Sequence, residues 1–167
     1  AAKTYLKDFG AATASNGAVG LYHVENITPE AVKYGKDLIA EDAKVYVVDD
    51  AELQRVYESY PVIWKKKDAK PKLCFMGCPH MSLQQLIDWT EKVSQSLKEA
   101  GRTRVCIPTV FTAAPAVLKK FQETPYAETL KATGVITSYI CPLMYMNNPL
   151  SEKMPVITSS NKLRTYT

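Results

Sequence analysis

Short runs of β-branched and aromatic residues alternate along the chain with segments of helical periodicity, and this alternation limits the possible folds. Strand-like runs occupy residues 43–48, 72–76, 104–109, 134–138 and 154–158. The last run contains a proline, which is typical of an edge strand or a strand start. Strands that alternate with helices form a parallel sheet with helices packed against it. The sequence therefore predicts an α/β fold, with a mostly parallel sheet and helices on both faces.

Two helices carry clear start signals. Thr28 is followed by a proline and a glutamate, which is the pattern of an N-cap and first helical turn, and this helix is expected to run to about Ala40. Ser82 and Gln85 have the spacing of a capping box. Apolar residues then recur at helical spacing until Gly101 ends the helix.

The remaining segments complete a single predicted domain. Two shorter helices are expected at residues 113–122 and 125–132, whereas the Gly-, Ala- and Ser-rich residues 10–20 are interpreted as a flexible loop. Residues 163–167 resemble an element cut midway. We therefore expect residues 1–167 to form one α/β domain that belongs to a longer chain.

The composition excludes several classes of protein. With 46% apolar and 23% charged residues, the 167-residue chain has a typical globular composition rather than a disordered or coiled-coil one. Its longest apolar runs are far shorter than the roughly 18 residues of a membrane span. A net charge of +4 is mild, and the lysines at 65–67 are read as a solvated loop. We therefore expect neither a nucleic-acid partner nor a membrane partner.

Chemically reactive side chains follow the predicted strands. Ligands of such sheets bind beyond the carboxyl ends of the strands. This rule selects two thiols, an imidazole, several hydroxyls, an amide and a lysine, namely Cys78, His80, Thr109, Thr112, Cys141, Ser159, Ser160, Asn161 and Lys162.

The four cysteines are too few for a disulfide scaffold, which favours a reducing, cytoplasmic compartment. Cys74 and Cys106 lie inside predicted strands and are interpreted as small core residues. Cys78 precedes a helix N-terminus, where a thiolate is favoured, and Cys141 has an equivalent place. These two thiolates could bind one iron ion or cluster, or they could simply be buried thiols.

The two histidines and one lysine each allow a structural and a functional interpretation. His80 could orient a substrate, bind a metal or cap a turn, whereas His23 reads as a loop or core histidine. Lys162 follows two serines and an asparagine, which suits an anion such as a carboxylate, although a solvated lysine is more common. Gly17 and Gly20 are not followed by the glycine-rich phosphate fingerprint, so a dinucleotide site is unsupported.

At these positions the sequence resembles aconitase X, a divergent branch of the aconitase superfamily. The resemblance begins with residues 17–24, continues through Ile27-Thr28-Pro29-Glu30-Ala31, and includes Gly77-Cys78-Pro79-His80-Met81-Ser82. Cys141 falls where the family carries a cysteine after a late strand, and residues 160–162 are similar to its polar block. The resemblance implies an aconitase-like α/β/α layer.

The resemblance also implies an activity and a cofactor. Aconitase X proteins are hydro-lyases of small hydroxy-carboxylates, and they include cis-3-hydroxyproline and phosphomevalonate dehydratases. They use a mononuclear iron or an iron–sulfur cluster held by cysteines, so the resemblance assigns Cys78 and Cys141 as ligands. A third cysteine ligand is expected outside this chain, beyond its C-terminus. A small swivelling domain or subunit is expected to supply a catalytic serine.

Further roles follow from the same resemblance. It assigns substrate orientation or proton handling to His23, His80 and Ser82, and substrate binding to Gly17, Thr112, Ser160, Asn161 and Lys162. No carboxylate is singled out as the base. Two alternatives remain open at this point: a non-catalytic α/β module that binds a small carboxylate or a partner domain, and a degraded remnant of a longer protein.

Overall fold

The computed structural model describes residues 2–60 and 64–166, which divide into two compact units. One unit comprises Ala1–Tyr22 with Lys70–Thr167, and the other comprises His23–Ala69. The elements, in chain order, are α1 (Ala2–Gly17), α2 (Pro29–Tyr34), a 3-10 helix (Gly35–Leu38), α3 (Asp50–Ser59), β1 (Leu73–Met81), α4 (Leu83–Glu99), β2 (Thr109–Ala113), α5 (Pro115–Gln122), α6 (Pro125–Ala132), β3 (Ile136–Ser138), α7 (Pro142–Met146), β4 (Val156–Thr158) and α8 (Asn161–Tyr166). Thr167 lies outside the described residues.

The larger unit contains a four-stranded sheet in the order β3-β2-β1-β4. All three strand pairs are parallel, and β4 lies at an edge as its proline predicted. The predicted α/β fold with a parallel sheet is therefore confirmed.

Two apolar clusters pack on opposite faces of this sheet. Adjacent strand residues point to opposite sides, so Met76 and Phe111 contribute to one cluster, and Phe75 and Val110 contribute to the other. Helices α4, α5 and α6 cover the first face, while α7 and α8 cover the second. Burying one such aromatic or aliphatic side chain contributes about 1.5–3 kcal/mol. The predicted layers of helices on both faces are thus confirmed.

The helix after Ser82 begins with the predicted capping box. The Ser82 hydroxyl accepts a hydrogen bond from the Gln85 backbone N–H at 3.2 Å, and the Gln85 side-chain oxygen accepts from the Ser82 N–H at 3.0 Å. Leu86 and Thr90 follow on the buried face of α4. The predicted helix over residues 125–132 is also confirmed, as α6.

Strand β1 leaves regular pairing in its second half. Met76 pairs with Phe111 and Met81 pairs with Ala113, so the four residues 77–80 lie opposite the single residue Thr112. Such a bulge turns side chains out of the regular pleat, and bulges are common next to active sites. We call residues 77–80 the β1 bulge.

Glycine is required at the start of the β1 bulge. Gly77 has a φ of 111°, and a Cβ there would lie 2.5 Å from the Thr112 hydroxyl oxygen and closer still to the Thr112 carbonyl oxygen. The Thr112 hydroxyl donates to the Gly77 carbonyl at 2.8 Å. This contact fixes the bulge against β2.

Two predicted boundaries in the larger unit are wrong. The strand expected at residues 104–109 begins only at Thr109, as β2. Pro108 immediately precedes it and has no N–H to donate to a neighbouring strand. Cys106 is consequently exposed rather than in the core. The loop expected at residues 10–20 is largely helical, since its alanines favour continuing α1 to Gly17.

The smaller unit differs more from the sequence-based prediction. The helix expected from Thr28 to Ala40 gives way to a 3-10 helix at Gly35, which has a φ of 54°. The strand expected at residues 43–48 is absent from the described structure, and its Val45 is 89% exposed. Asp49 instead caps α3, which the sequence analysis did not predict, by accepting from the Glu52 N–H at 2.8 Å.

Within the described residues, every helix is too short or too polar to cross a membrane.

We predict that Gly77→Ala destabilises the chain by at least about 3 kcal/mol, because the methyl group combines left-handed strain with a clash against Thr112. Gly101→Ala is the matched control, since Gly101 also has a positive φ but faces open space. Its expected cost is about 1–2 kcal/mol. Chemical denaturation measures both. Equal destabilisation by the two variants would contradict the close approach of Gly77 to Thr112.

Candidate active site

The candidate site lies between the neighbouring strands β1 and β4, whose following helices pack on opposite faces of the sheet. From β1 the chain passes to α4 on one face, and from β4 it passes to α8 on the other face. Adjacent parallel strands whose connections leave in opposite directions open a crevice at their carboxyl ends. The β1 bulge and residues 159–162 border this crevice.

A cavity of about 220 Å³ brings together four of the residues selected from the sequence. They are Cys78, His80, Cys141 and Lys162, and the cavity is completed by Gly77, Pro79, Pro142 and Leu143. We call this the thiol cavity. The bulge contributes Cys78 and His80, while the N-terminus of α7 contributes Cys141.

A second cavity of about 380 Å³ shares part of that lining. We call it the α1 cavity, because α1 supplies one of its walls. Its apolar lining comes from aromatic and aliphatic side chains, and its polar lining comes from α1, α4 and α8. Its residues are Tyr5, Asp8, Phe9, Ala12, Gly77, Cys78, Pro79, Met81, Gln85, Trp89, Ser159, Ser160, Asn161 and Lys162. Cys78 and Lys162 therefore line both cavities.

The Cys78 thiol is half-buried, and its burial raises its pKa. The Ser160 hydroxyl and the positive charge of Lys162 act in the opposite direction, whereas the neighbouring Cys141 thiol raises the pKa further. The sequence predicted a thiolate favoured by a helix N-terminus. The structure instead places Cys78 inside β1, four residues before the cap of α4, so burial dominates.

Ser160 links the β1 bulge to the first turn of α8. Its hydroxyl donates to the Cys78 carbonyl and accepts from the Leu163 backbone N–H at 2.9 Å. Ser160 is only 8% exposed, and Leu163 is packed in the apolar cluster below it. These bonds hold the first turn of α8, and with it Asn161 and Lys162, beside the bulge.

The donor set of the thiol cavity fits iron or an iron–sulfur centre. Thiolates are the usual ligands of such centres, and two thiols line this cavity. His80 has a buried Nε2 atom without a hydrogen-bond partner among the described residues, which is unusual for a polar atom. Among the described residues, no three His, Cys, Asp or Glu side chains come together to hold a metal ion. The chain thus offers part of a ligand set.

The other selected residues lie elsewhere. Thr112 is fully buried in β2, where its hydroxyl bonds to the bulge, and Thr109 is also buried in that strand. Ser82 caps α4, and Gly17 ends α1. These four are not among the described residues that line either cavity. His23 is exposed and belongs to the smaller unit. Their proposed roles stay predictions.

The structure adds Asp8 and Gln85 to the site, although no sequence pattern indicates either as a site residue. Asp8 lines the α1 cavity and accepts a hydrogen bond from the Gln85 side-chain nitrogen across 77 positions of sequence. In the sequence, the pattern around Gln85 predicts only a capping box. No local pattern links a residue of an alanine-rich helix to a capping residue so far along the chain.

Comparisons with known proteins show which family this chain is similar to. The family model described as the aconitase X second domain matches residues 1–58. The large subunit of phosphomevalonate dehydratase from Methanosarcina mazei is 31% identical over 165 residues, which is 98% of this chain. The corresponding subunit from Thermococcus kodakarensis is 31% identical over 127 residues, or 76% of this chain.

A solved structure extends the similarity to the fold. The crystal structure of Thermococcus kodakaraensis aconitase X in its holo-form matches 98% of this chain with a TM-score of 0.73 and 26% identity. The chain belongs to the aconitase X family. The resemblance inferred from the Gly-Cys-Pro-His-Met-Ser motif is therefore confirmed.

The similarity covers only part of each aconitase X relative. The chain spans 36% and 30% of the two dehydratase subunits, and 39% of the solved aconitase X chain. The activity, substrate and partners of those whole proteins therefore enter as proposals.

We predict that thiol labelling of the metal-free chain separates its cysteines into two pairs. Cys106 and Cys141 are exposed and should react several-fold faster than Cys74 and Cys78, whose pKa values are raised by burial. Timed alkylation followed by peptide mass spectrometry measures each rate. Equally fast labelling of Cys78 and Cys106 would contradict the described burial of Cys78.

Proposed function

We propose that this chain forms part of a hydro-lyase of the aconitase X type. The proposed enzyme removes water from a small hydroxy-carboxylate, and a phosphomevalonate-like substrate fits the named relatives better than a 3-hydroxyproline-like one. The observation that carries this proposal is the convergence of Cys78, His80, Cys141 and Lys162 on one cavity. In the same proposal, residues 1–167 belong to a single α/β domain of a longer chain.

Cys78 and Cys141 would hold an iron ion or iron–sulfur cluster together with a further ligand from outside these residues. Such a centre supplies Lewis acidity toward the substrate hydroxyl when it is bound. The thiols come from the β1 bulge and the start of α7, so the sheet and its covering helix fix their separation. Ser160 limits movement of the bulge by bonding to the Cys78 carbonyl.

Lys162 and Asn161 would bind the substrate carboxylate. Lys162 lines both cavities, and its ammonium group is the only cationic side chain among the described residues of either lining. A charge-assisted hydrogen bond to a carboxylate contributes about 1.5–3 kcal/mol. The neighbouring Asn161 amide adds a neutral donor that fits the same anion.

His80 would hold or release a proton at its unpartnered Nε2 atom. Ser82 and Thr112 would not touch the substrate but would hold other residues in place. Ser82 fixes the start of α4, and Thr112 fixes Gly77. For His23 and Gly17 we retain the roles in substrate handling that the family resemblance implies.

A smaller subunit or swivelling domain would complete the site. The relatives are named large subunits, which implies a second component in those proteins. This partner would supply the catalytic serine that the family resemblance implies.

We predict that Cys78→Ser, in the full-length protein with its partner subunit, lowers both iron per folded protein and dehydration turnover by at least about 100-fold. The serine hydroxyl is a poor replacement for a thiolate ligand. Iron analysis and product formation measure the two effects.

Cys106→Ser is the matched control and should retain both properties, because Cys106 is exposed and lies outside the described linings. Cys74→Ser should also retain iron, although it loses some stability by burying a hydroxyl. Full iron and turnover in Cys78→Ser would make Cys78 a structural residue and remove it from the proposed ligand set.

We also predict that Lys162→Met raises the KM for phosphomevalonate by about tenfold or more, because an anion loses its charged partner. Lys131→Met removes the same charge from the exposed surface of α6 and should leave KM unchanged. Steady-state kinetics on both variants measure the difference. An unchanged KM in Lys162→Met would rule out carboxylate binding by this lysine.

A further inference from the structure

The carboxylate of Asp8 lines the α1 cavity together with Cys78 and Lys162. It is the only acidic side chain among the described residues that line either cavity. Its side chain is 37% exposed, so a bound molecule can reach it. Asn16 and Thr165 bond to each other at 2.6 Å, which ties the α1 helix to α8 and keeps Asp8 near residues 160–162.

Gln85 orients this carboxylate, and its own orientation is fixed by the cap of α4. The Gln85 side-chain oxygen is occupied by the Ser82 backbone N–H, so the amide nitrogen must point the other way, where it donates to Asp8. Gln85 is only 5% exposed, which leaves its amide few other partners. The other Asp8 carboxylate oxygen pairs with Lys7 at 3.1 Å.

The chemistry of the proposed substrate limits what Asp8 can bind. A carboxylate only accepts hydrogen bonds, and it repels other anions. Phosphomevalonate carries a carboxylate and a phosphate, so its free hydroxyl is the one group that can donate to Asp8. Lys162, on the same cavity, has the opposite charge and suits an anionic end of that molecule.

We propose that Asp8 binds the substrate hydroxyl that is lost as water, and that Gln85 is its positioning residue. This inference rests on the proposed dehydratase function. In this role, Asp8 and Gln85 distinguish the hydroxylated substrate from its dehydrated product. The product lacks the hydroxyl group that donates a hydrogen bond to Asp8.

The test uses the full-length protein with its partner subunit, phosphomevalonate, and the dehydration product as an inhibitor. In Asp8→Asn, kcat/KM for phosphomevalonate should fall by about tenfold or more, while the inhibition constant of the product changes by less than about twofold. A purely structural role for Asp8 would weaken both molecules together.

Gln85→Glu provides an independent variant that keeps a capping-box residue at the start of α4. Glutamate is a standard capping-box residue, so the start of α4 is retained while the donor to Asp8 becomes a repelling carboxylate. The same selective loss for phosphomevalonate is expected. Glu128→Gln removes a negative charge from the exposed surface of α6 and should change neither value.

The outcomes separate this inference from the proposed function. An active parent enzyme in which Asp8→Asn weakens substrate and product equally, or weakens neither, overturns the role of Asp8 alone. A parent enzyme that does not dehydrate phosphomevalonate overturns the proposed substrate and this inference with it.

Discussion

The close packing of Gly77 against Thr112 is the constraint on which the candidate site depends. Four residues of β1 face a single residue of β2, and a side chain on Gly77 would collide with the Thr112 backbone. The extra residues are therefore forced out of the pleat, and they carry Cys78 and His80 into the thiol cavity. In a regular strand, Cys78 and His80 would instead lie on the same face of the sheet as Met76, within the first apolar cluster.

The sheet order then determines which groups meet the bulge. Because β4 lies beside β1 while its following helix lies on the opposite face from α4, residues 159–162 border the same crevice. The short connection after β3, residues 139–141, brings Cys141 to the start of α7, which covers the second face. The site thus joins three segments of a chain that spans 36–39% of its matched aconitase X relatives.

Sequence alone predicted those features that short-range interactions decide. The capping box at Ser82 and the parallel direction of the strands were predicted correctly, and the residue motif around Cys78 identified the family. The strand expected at residues 43–48 was wrong, because β-branched residues form strands only when a neighbouring strand pairs with them, and none does so among the described residues. The contact of Asp8 with Gln85 could not be foreseen, since it depends on how α1 packs in three dimensions.

The β1 bulge and the start of α7 place two thiols, Cys78 and Cys141, on one cavity. The most direct measurement treats the metal-free protein with phenylarsine oxide, which bridges two neighbouring thiols, and identifies the joined peptides by mass spectrometry. We expect a bridge between Cys78 and Cys141, with Cys106 unbridged. A bridge from Cys78 to Cys74, or arsenic bound without joining Cys78 to Cys141, would contradict it.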